Sequence, residues 1–276
     1  GGPLKVAYQG EPGAYSEIAA ARHFQDSSLQ FTPSKSFDAV FDAVLTGESD
    51  YGVIPVENAL SGSIHECYDL FLRYPDISIV GEKQIRIQHN LIGFPGTDIR
   101  RIKRVYSHPQ GLKQCAKYLD GLNAEQIPYY DTAGSVSFVA EQKSEENAAV
   151  AGSGAAAYYG LAVLKEGIET NHANFTRFFI IARSVHPEPS SVDKATIVFS
   201  VKDEKGSLCR VLQVMDSSGL NQKKLESRPI HGKPWEYMFY SDLELQGRDD
   251  FINSAVPAIK AVADNFRILG IYKAGI

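Results

Sequence analysis

The feature that most constrains the fold is a regular alternation of strand and helix patterns along the first 183 residues. Residues 4–8 form a short apolar run that ends in a Gly-Glu-Pro-Gly turn, and residues 51–56 predict a second buried strand. Between them, the apolar spacing predicts an amphipathic helix with Ser36 as its N-cap and Gly47 at its end. Strands that alternate with helices are typical of α/β folds with parallel-rich sheets. Because ligands bind at the carboxyl ends of parallel strands, we expect a cleft there.

A change in composition divides the chain. Residues 184–193 contain two prolines and three serines and almost nothing to bury, which is typical of a linker. The pattern that follows predicts strand, helix, two strands, helix and strand, the βαββαβ order of a ferredoxin-like fold. We therefore expect a first domain over residues 1–184, a linker over 185–193 and a second domain over 194–276.

The charge pattern argues against several classes of partner. The chain of 276 residues has a formal net charge of −5, and no cluster of Lys and Arg suggests the basic face that binds nucleic acid, so no nucleic-acid partner is expected. A small anionic substrate needs only one or two well-placed arginines. The longest uncharged stretch, residues 147–164, is too rich in Gly, Ala and Ser to predict a membrane span, and no secretory leader is recognised. We expect a cytoplasmic protein without membrane contact.

Neither a metal site nor a cofactor is predicted. The three cysteines, Cys67, Cys115 and Cys209, are far apart and form no CxxC pair, and the seven histidines show no HxxxH or HxH spacing. The dinucleotide-binding pattern GxGxxG and the phosphate-binding pattern GxxxxGK[ST] are also absent from the sequence. We therefore expect chemistry that relies on side chains and backbone alone.

Polar residues follow the second buried strand. Glu57, Asn58 and Ser61 come directly after it and can hydrogen-bond a ligand. The alternative is a purely structural role, in which Ser61, with Gly62 beside it, N-caps a helix over residues 64–72.

Three further polar clusters lie where helices are expected to begin. Ser107 or His108 can cap a helix whose exposed N–H groups attract an anion. Asp131 is another candidate N-cap, and the turn over residues 10–13 can bring backbone amides to a carboxylate. For each cluster, a structural cap and a ligand contact are both open.

Thr176 and Arg177 stand side by side at the start of an apolar strand, shortly before the linker. A hydroxyl and a guanidinium in this position can serve a reaction on an anion. The alternative is an ordinary strand edge, where the threonine caps a turn and the arginine points into solvent.

Taken together and in order, these segments resemble the prephenate dehydratase family. The similarity extends over residues 4–183 and is carried by GEPGAYSE, PVENALSG, SHPQGLKQC, DTAGSV, AGSGAAAYYGL and NFTRF. The resemblance implies a two-lobed catalytic domain like a type II periplasmic binding protein, with the active site in the cleft between the lobes. It also implies decarboxylating dehydration of prephenate, without a cofactor.

The resemblance assigns roles to particular residues. Thr176 is expected to donate a proton or hydrogen bond to the departing hydroxyl, Arg177 to bind a carboxylate through its fork of donors, and Phe178 to complete the catalytic motif. The residues expected to bind and orient the substrate are Tyr15, Ser16, Asn58, Ser61, Gly62, Ser107, His108, Gln110, Gln114, Asp131, Thr132, Ala133 and Asn174.

The second domain resembles an ACT domain, which implies feedback regulation by L-phenylalanine. The residues expected to bind this effector are Gly206, Ser207, Leu208, Leu225, Glu226, Ser227, Arg228 and Pro229. The chain departs from the family at Gln222 and Lys223, where Leu-Thr is common. Alternatively, Glu226 and Arg228 form a solvent-exposed ion pair. Because ACT domains commonly pair edge to edge, a homodimer or homotetramer is expected, with the domain as a removable sensor.

Two other functions share these patterns. Arogenate dehydratase carries out the same chemistry on a substrate with an amino acid side arm. A solute-binding sensor also uses two lobes and a cleft, although the Thr-Arg pair favours an enzyme.

Overall fold

The computed structural model describes residues 1–186 and 188–275, and within that part the side chain of Ala133 is outside the description. The strands are β1 Leu4–Gln9, β2 Leu29–Ser34, β3 Tyr51–Asn58, β4 Gly62–Ser63, β5 Ile77–Arg86, β6 Asn90–Gly93, β7 Arg104–Ser107, β8 Glu125–Pro128, β9 Asn147–Ala151, β10 Ala162–Lys165, β11 Phe175–Arg183, β12 Lys194–Ser200, β13 Asn221–Pro229, β14 Tyr237–Glu244 and β15 Asp264–Tyr272. The helices are α1 Tyr15–His23, α2 Phe37–Thr46, α3 His65–Arg73, α4 Pro109–Gln114, α5 Ala116–Gly121, α6 Thr132–Gln142, α7 Ser153–Tyr158, α8 Ser207–Ser217, α9 Arg248–Asp250 and α10 Val256–Lys260. None of the helices so described has both the length and the apolar character to cross a membrane.

Two α/β lobes form the first part of the chain. In the first lobe the strand order is β5-β11-β3-β1-β2, with β1 parallel to both β2 and β3. In the second lobe it is β10-β6-β9-β7-β8, with β7 parallel to β8 and β9. The chain crosses between the lobes twice, after β5 and before β11. The expected α/β fold of the two-lobed, type II periplasmic-binding-protein kind is confirmed.

Local sequence signals decide several element ends. The Ser36 side chain accepts a hydrogen bond from the Ala39 N–H, and Gly47 adopts the left-handed conformation (φ 79°) that ends α2, as predicted. Besides the two-residue β4, two strands, β2 and β10, were not predicted. Both lie at the edge of their sheets and are only partly buried, so neither shows a clear apolar pattern.

The C-terminal part has the predicted βαββαβ order. Its antiparallel sheet has the strand order β13-β14-β12-β15, with α8 and α10 packed on a common apolar core. The second helix, predicted as continuous over 251–262, instead contains a π-helical turn, Phe251–Ala255, between α9 and α10. Pro257 lies just behind this turn and has no N–H to donate, so the regular helical hydrogen bonding is interrupted there.

The two parts share one sheet and one core. Strand β15 pairs with β5 where Gly270 meets Ile79, which joins the C-terminal sheet to the first lobe. Phe71 and Phe179 of the lobe pack in the same buried cluster as Tyr272 of the C-terminal part. A cut near residue 184 would expose this apolar surface, so the structure argues against a freely removable C-terminal domain.

The pairing of β15 with β5 predicts that Gly270 does not tolerate a larger residue. A Cβ added at Gly270 would overlap the Ile79 carbonyl and side chain. We expect Gly270→Ala to lower the free energy of unfolding by about 1–3 kcal/mol, as overpacking typically does. The control is Gly121→Ala, where nothing lies within 4 Å of the new Cβ. Chemical denaturation of both variants checks this, and equal stabilities would contradict the close approach at Gly270.

Candidate active site

The two lobes enclose a cleft of about 470 Å³, lined by residues of both lobes and of the crossing segments. Most of the predicted substrate-binding and catalytic residues meet there. Those that line the cleft are Tyr15, Ser16, Asn58, Ser61, His108, Gln110, Gln114, Asp131, Thr132, Asn174, Thr176 and Phe178.

Three predicted residues do not line the cleft. Ser107 is fully buried beneath it, and its hydroxyl donates to the Val150 carbonyl. Gly62 is the first residue of β4, where it pairs with Asn58 directly after the hairpin turn, and its positive φ of 86° favours glycine. Arg177 lies on the opposite side of the sheet. The predicted residue Ala133 lies outside the described side chains.

Ser61 does not cap a helix. Helix α3 begins after Ile64 without a side-chain cap. The Ser61 hydroxyl instead donates to Asn58 Oδ1 over 3.1 Å, and the backbone N–H groups of Leu60 and Ser61 donate to the same oxygen. The alternative structural role for Ser61 is therefore wrong, and its contacts hold Asn58 in place.

Arg177 requires a correction. Along β11 successive side chains point to opposite faces, so Thr176 and Phe178 face the cleft while Arg177 points away from it. The buried guanidinium contacts Glu82 Oε2 and Asp242 Oδ2, each over 2.6 Å, and donates to the Tyr272 hydroxyl over 3.0 Å. Its fork of donors is thus occupied by protein groups, so the prediction that Arg177 binds a substrate carboxylate is not supported by the structure.

The hydroxyl of Thr176 is oriented by Asn58. The Asn58 Nδ2 group donates to Thr176 Oγ1 over 3.0 Å and to Asn174 Oδ1 over 2.8 Å. Because the threonine oxygen already accepts a hydrogen bond, its own O–H is left to donate into the cleft. The arrangement gives the cleft one positioned neutral donor.

A second set of contacts extends from Asn174 to His89, a cleft residue that was not predicted. Gln114 Oε1 accepts from Asn174 Nδ2 over 3.2 Å and contacts His89 Nε2 over 2.7 Å, so this histidine nitrogen carries the proton. Burial lowers the pKa of His89, and its Nδ1 has no hydrogen-bond partner among the described groups. The sequence feature that could have pointed to His89 is the polar run over residues 88–90, which separates two predicted strands.

Four helices begin at the cleft. The first residues of α1, α4, α6 and α7 all contribute to its lining, whereas no Lys or Arg does so among the described residues. Helices α4 and α6 are capped by His108 and Asp131, as predicted. Helices α1 and α7 follow Ala14 and Gly152, which provide no side-chain cap. Their free N–H groups and the helix dipoles make the cleft suited to an anion.

The described part of the chain contains no group of side chains that could bind a metal ion. No three His, Cys, Asp or Glu side chains are placed there to hold a metal ion.

The predicted effector-binding residues are divided between two places. Gly206, Ser207 and Leu208 line a second cavity of about 540 Å³, together with Trp235 and Tyr237. The residues of β13 do not line it, because the strand alternates between an exposed and a partly buried face.

The two faces of β13 have different surroundings. Leu225, Ser227 and Pro229 are exposed. Glu226 Oε1 lies 3.3 Å from His65 Nδ1, and Arg228 Nη2 lies 2.7 Å from Asp69 Oδ2. Glu226 and Arg228 therefore bind helix α3 rather than each other, and the proposed ion pair between them is not formed.

Comparisons with known proteins agree on one family. Residues 6–186 match the family model described as prephenate dehydratase. The chain is 38% identical to the Arabidopsis thaliana arogenate dehydratase/prephenate dehydratase 6, over 99% of this chain and 69% of the relative. It is also 38% identical to the bifunctional chorismate mutase/prephenate dehydratase of Escherichia coli K12, over 97% of this chain and 70% of the relative.

Solved structures with the same fold carry two different descriptions. One is a prephenate dehydratase from Arthrobacter aurescens in complex with L-Phe, with a TM-score of 0.86 and 27% identity over 98% of this chain and 90% of that one. Another is GqqA, described as a quorum quenching acylase, with a TM-score of 0.88 and 29% identity over 98% of each chain.

The buried position of His89 predicts its protonation behaviour. We expect a pKa below the usual 6.5, with the neutral ring protonated at Nε2 at pH 7. As the pH falls below 6.5, the unfolded chain binds a proton that the folded chain does not, so this residue's contribution to stability is lost. Nitrogen-15 NMR titration checks the pKa, with His89→Gln to assign the signal. A pKa above 6.5 in the folded protein would contradict the prediction.

Proposed function

Because the chain belongs to the prephenate dehydratase family, we propose that it removes water and CO2 from prephenate to form phenylpyruvate, the precursor of L-phenylalanine. Arogenate is the alternative substrate, since relatives of similar identity are named for either activity. The observation that carries the proposal is the Thr176 hydroxyl, whose oxygen is held by Asn58 and whose proton is free to point into an anion-binding cleft.

The main catalytic requirement of this reaction is stabilisation of the departing hydroxide. As the ring carboxylate leaves as CO2, its bonding electrons enter the ring, the C–O bond breaks and hydroxide departs while the ring becomes aromatic. A donor aimed at the departing oxygen stabilises the negative charge that develops there. Threonine is a poor acid in water, so we assign Thr176 a directional hydrogen bond that strengthens in the transition state. Asn58 keeps that donor oriented.

The carboxylates of the substrate need a different partner from the predicted Arg177. We assign this role to the N-terminal N–H groups that surround the cleft, above all those of α1 and α7, which have no side-chain cap. Backbone donors on rigid helices hold a carboxylate without the flexible side chain of an arginine. Phe178 lines the same cavity and can support one face of the ring.

Regulation is assigned to the C-terminal part, which we propose is an ACT domain over residues 194–276. The similar Arthrobacter structure is described as a complex with L-Phe. In this chain, the cavity lies at the N-terminus of α8, which has no side-chain cap, and is lined by the aromatic side chains Trp235 and Tyr237, features that suit a free aromatic amino acid. Strand β13 lies at the edge of its sheet, so its unpaired backbone groups are available for pairing between subunits, in keeping with a homodimer or homotetramer. A cytoplasmic location remains part of the proposal.

The catalytic role of Thr176 predicts different kinetic effects for two substitutions at this position. Thr176→Ala should lower kcat by about 10²–10⁴-fold with little change in KM, because a hydrogen bond made chiefly in the transition state is lost. Thr176→Ser keeps the hydroxyl and should retain much of the rate. Steady-state kinetics with both variants check this. Near-normal turnover of the alanine variant would remove Thr176 from the mechanism.

The substrate is tested directly with the purified chain. We expect phenylpyruvate to form from prephenate, measured by its ultraviolet absorbance, with a higher kcat/KM than phenylalanine formation from arogenate. The Thr176→Ala variant is the control for contaminating activity. A higher kcat/KM with arogenate would reverse the assignment of the substrate, and turnover of neither would contradict the proposed function.

A further inference from the structure

Two neighbouring strands carry cleft residues on one face and domain contacts on the other. In the antiparallel pair β3–β11, Thr176 lies opposite Asn58, and the next residues, Arg177 and Glu57, also lie opposite each other. The first pair contacts the cleft. The second pair binds side chains of the C-terminal domain.

Arg177 belongs to a buried charge cluster that spans the two domains. Arg177 and Glu82 come from the first lobe, and Asp242 and Lys194 come from the C-terminal domain. Burial alone would raise the pKa of Asp242, but the Arg177 guanidinium lowers it, so the carboxylate stays ionised. Each side contributes one positive and one negative charge, and docking adds Asp242 to the partners of Arg177 and Lys194 to the partners of Glu82. Thr196 completes the cluster by donating to Asp242 Oδ1 over 2.7 Å.

Glu57 makes the second connection. Its Oε2 atom lies 3.1 Å from Lys224 Nζ and 3.5 Å from Arg177 Nη1. The Lys224 ammonium also contacts Ser63 and lies 4.8 Å from the centre of the Tyr68 ring, so it reaches well into the first lobe. Lys224 is on the same face of β13 that binds α3 through Glu226 and Arg228.

We infer that Arg177 and Glu57 are positioning residues through which the C-terminal domain controls the geometry of Thr176 and Asn58. A strand is continuous, so a shift of Arg177 or Glu57 toward or away from the C-terminal domain moves the neighbouring cleft residue with it. The alignment of the Thr176 donor then depends on how the domain is docked. This inference rests on the proposed function and adds the route by which an effector bound to the C-terminal domain changes turnover.

This connection through Arg177 and Glu57 predicts kinetic effects that differ from those of a residue that binds substrate. If Arg177 held a substrate carboxylate, weakening its contacts would mainly raise KM. If it positions Thr176, the loss falls on kcat, because the Thr176 hydrogen bond acts chiefly in the transition state. Substitution of residues that connect two sites commonly changes the coupling between those sites by factors of about 2 to 30.

The first test uses two adjacent lysines on opposite faces of β13. Lys224→Met keeps an apolar stem over Tyr68 but removes the ion pair with Glu57. Lys223→Met is the matched control, because Lys223 pairs only with Glu244 of its own domain among its described ion pairs. For Lys224→Met we expect kcat to fall about 2- to 30-fold, KM to stay unchanged and inhibition by L-phenylalanine to weaken. Kinetics like those of Lys223→Met would overturn the inference.

A second pair of variants tests the Arg177 side without removing a charge. Tyr272→Phe deletes the hydroxyl that contacts both Arg177 and Thr196. Tyr240→Phe is the control, because it removes a hydroxyl from the same core that, among the described residues, donates to the Tyr68 carbonyl and does not contact Arg177 or Thr196. We expect lower kcat with unchanged KM for Tyr272→Phe alone. A rise in KM without loss of kcat would favour a binding role and contradict the inference.

Hydrogen exchange separates this inference from the proposed function. In Lys224→Met, but not Lys223→Met, we expect faster amide exchange in β3 and β11 around Asn58 and Thr176. This measurement needs no turnover, so it tests the connection even if neither prephenate nor arogenate is a substrate. Equal exchange in the two variants would contradict the inference, whereas an inactive parent protein would contradict only the proposed function.

Discussion

The buried charges around Arg177 are the constraint on which the rest of the structure depends. A guanidinium taken out of water is tolerated only when carboxylates and hydroxyls replace its hydration. Here Glu82 of the first lobe and Asp242 of the C-terminal domain both contribute to that replacement, together with the Tyr272 hydroxyl. The two parts of the chain therefore have one docked arrangement that satisfies the cluster. The apolar contacts beside it, including Phe179 below the guanidinium, add stability without defining that arrangement as sharply.

The anion recognition that we propose for the cleft relies on backbone N–H groups rather than on charged side chains. Helix N-termini converge on the cleft, and neutral amides and hydroxyls provide the remaining donors. Such a site leaves the oriented hydroxyl of Thr176 without a Lys or Arg among the described residues of the cleft lining. It also separates two tasks that the sequence places in adjacent residues: Thr176 serves the cleft and Arg177 serves the domain interface.

Much of the fold followed from local patterns, because those patterns have local causes. The N-cap at Ser36 and the left-handed Gly47 depend only on their neighbours, and both were predicted correctly. The orientation of Arg177 depends on what covers each face of β11, and its partner Asp242 is 65 residues away. No local signal contains that information. The same limit applies to Glu226, whose partner His65 belongs to the other domain. His89 was missed because a single histidine between strands has no distinctive spacing.

The position of β11 also governs the order in which the molecule can be assembled during synthesis. This strand lies between β3 and β5, although the whole second lobe separates it from them in the chain. The second lobe is formed by one continuous segment and can complete its sheet as it leaves the ribosome. The first lobe must keep a central gap until residues 175–183 arrive. Even then, Arg177 lacks Asp242 until the last domain has been made. Residues 175–183 thus close the sheet, and the last segment of the chain then adds Asp242 beside Glu82, the carboxylate that already pairs with Arg177.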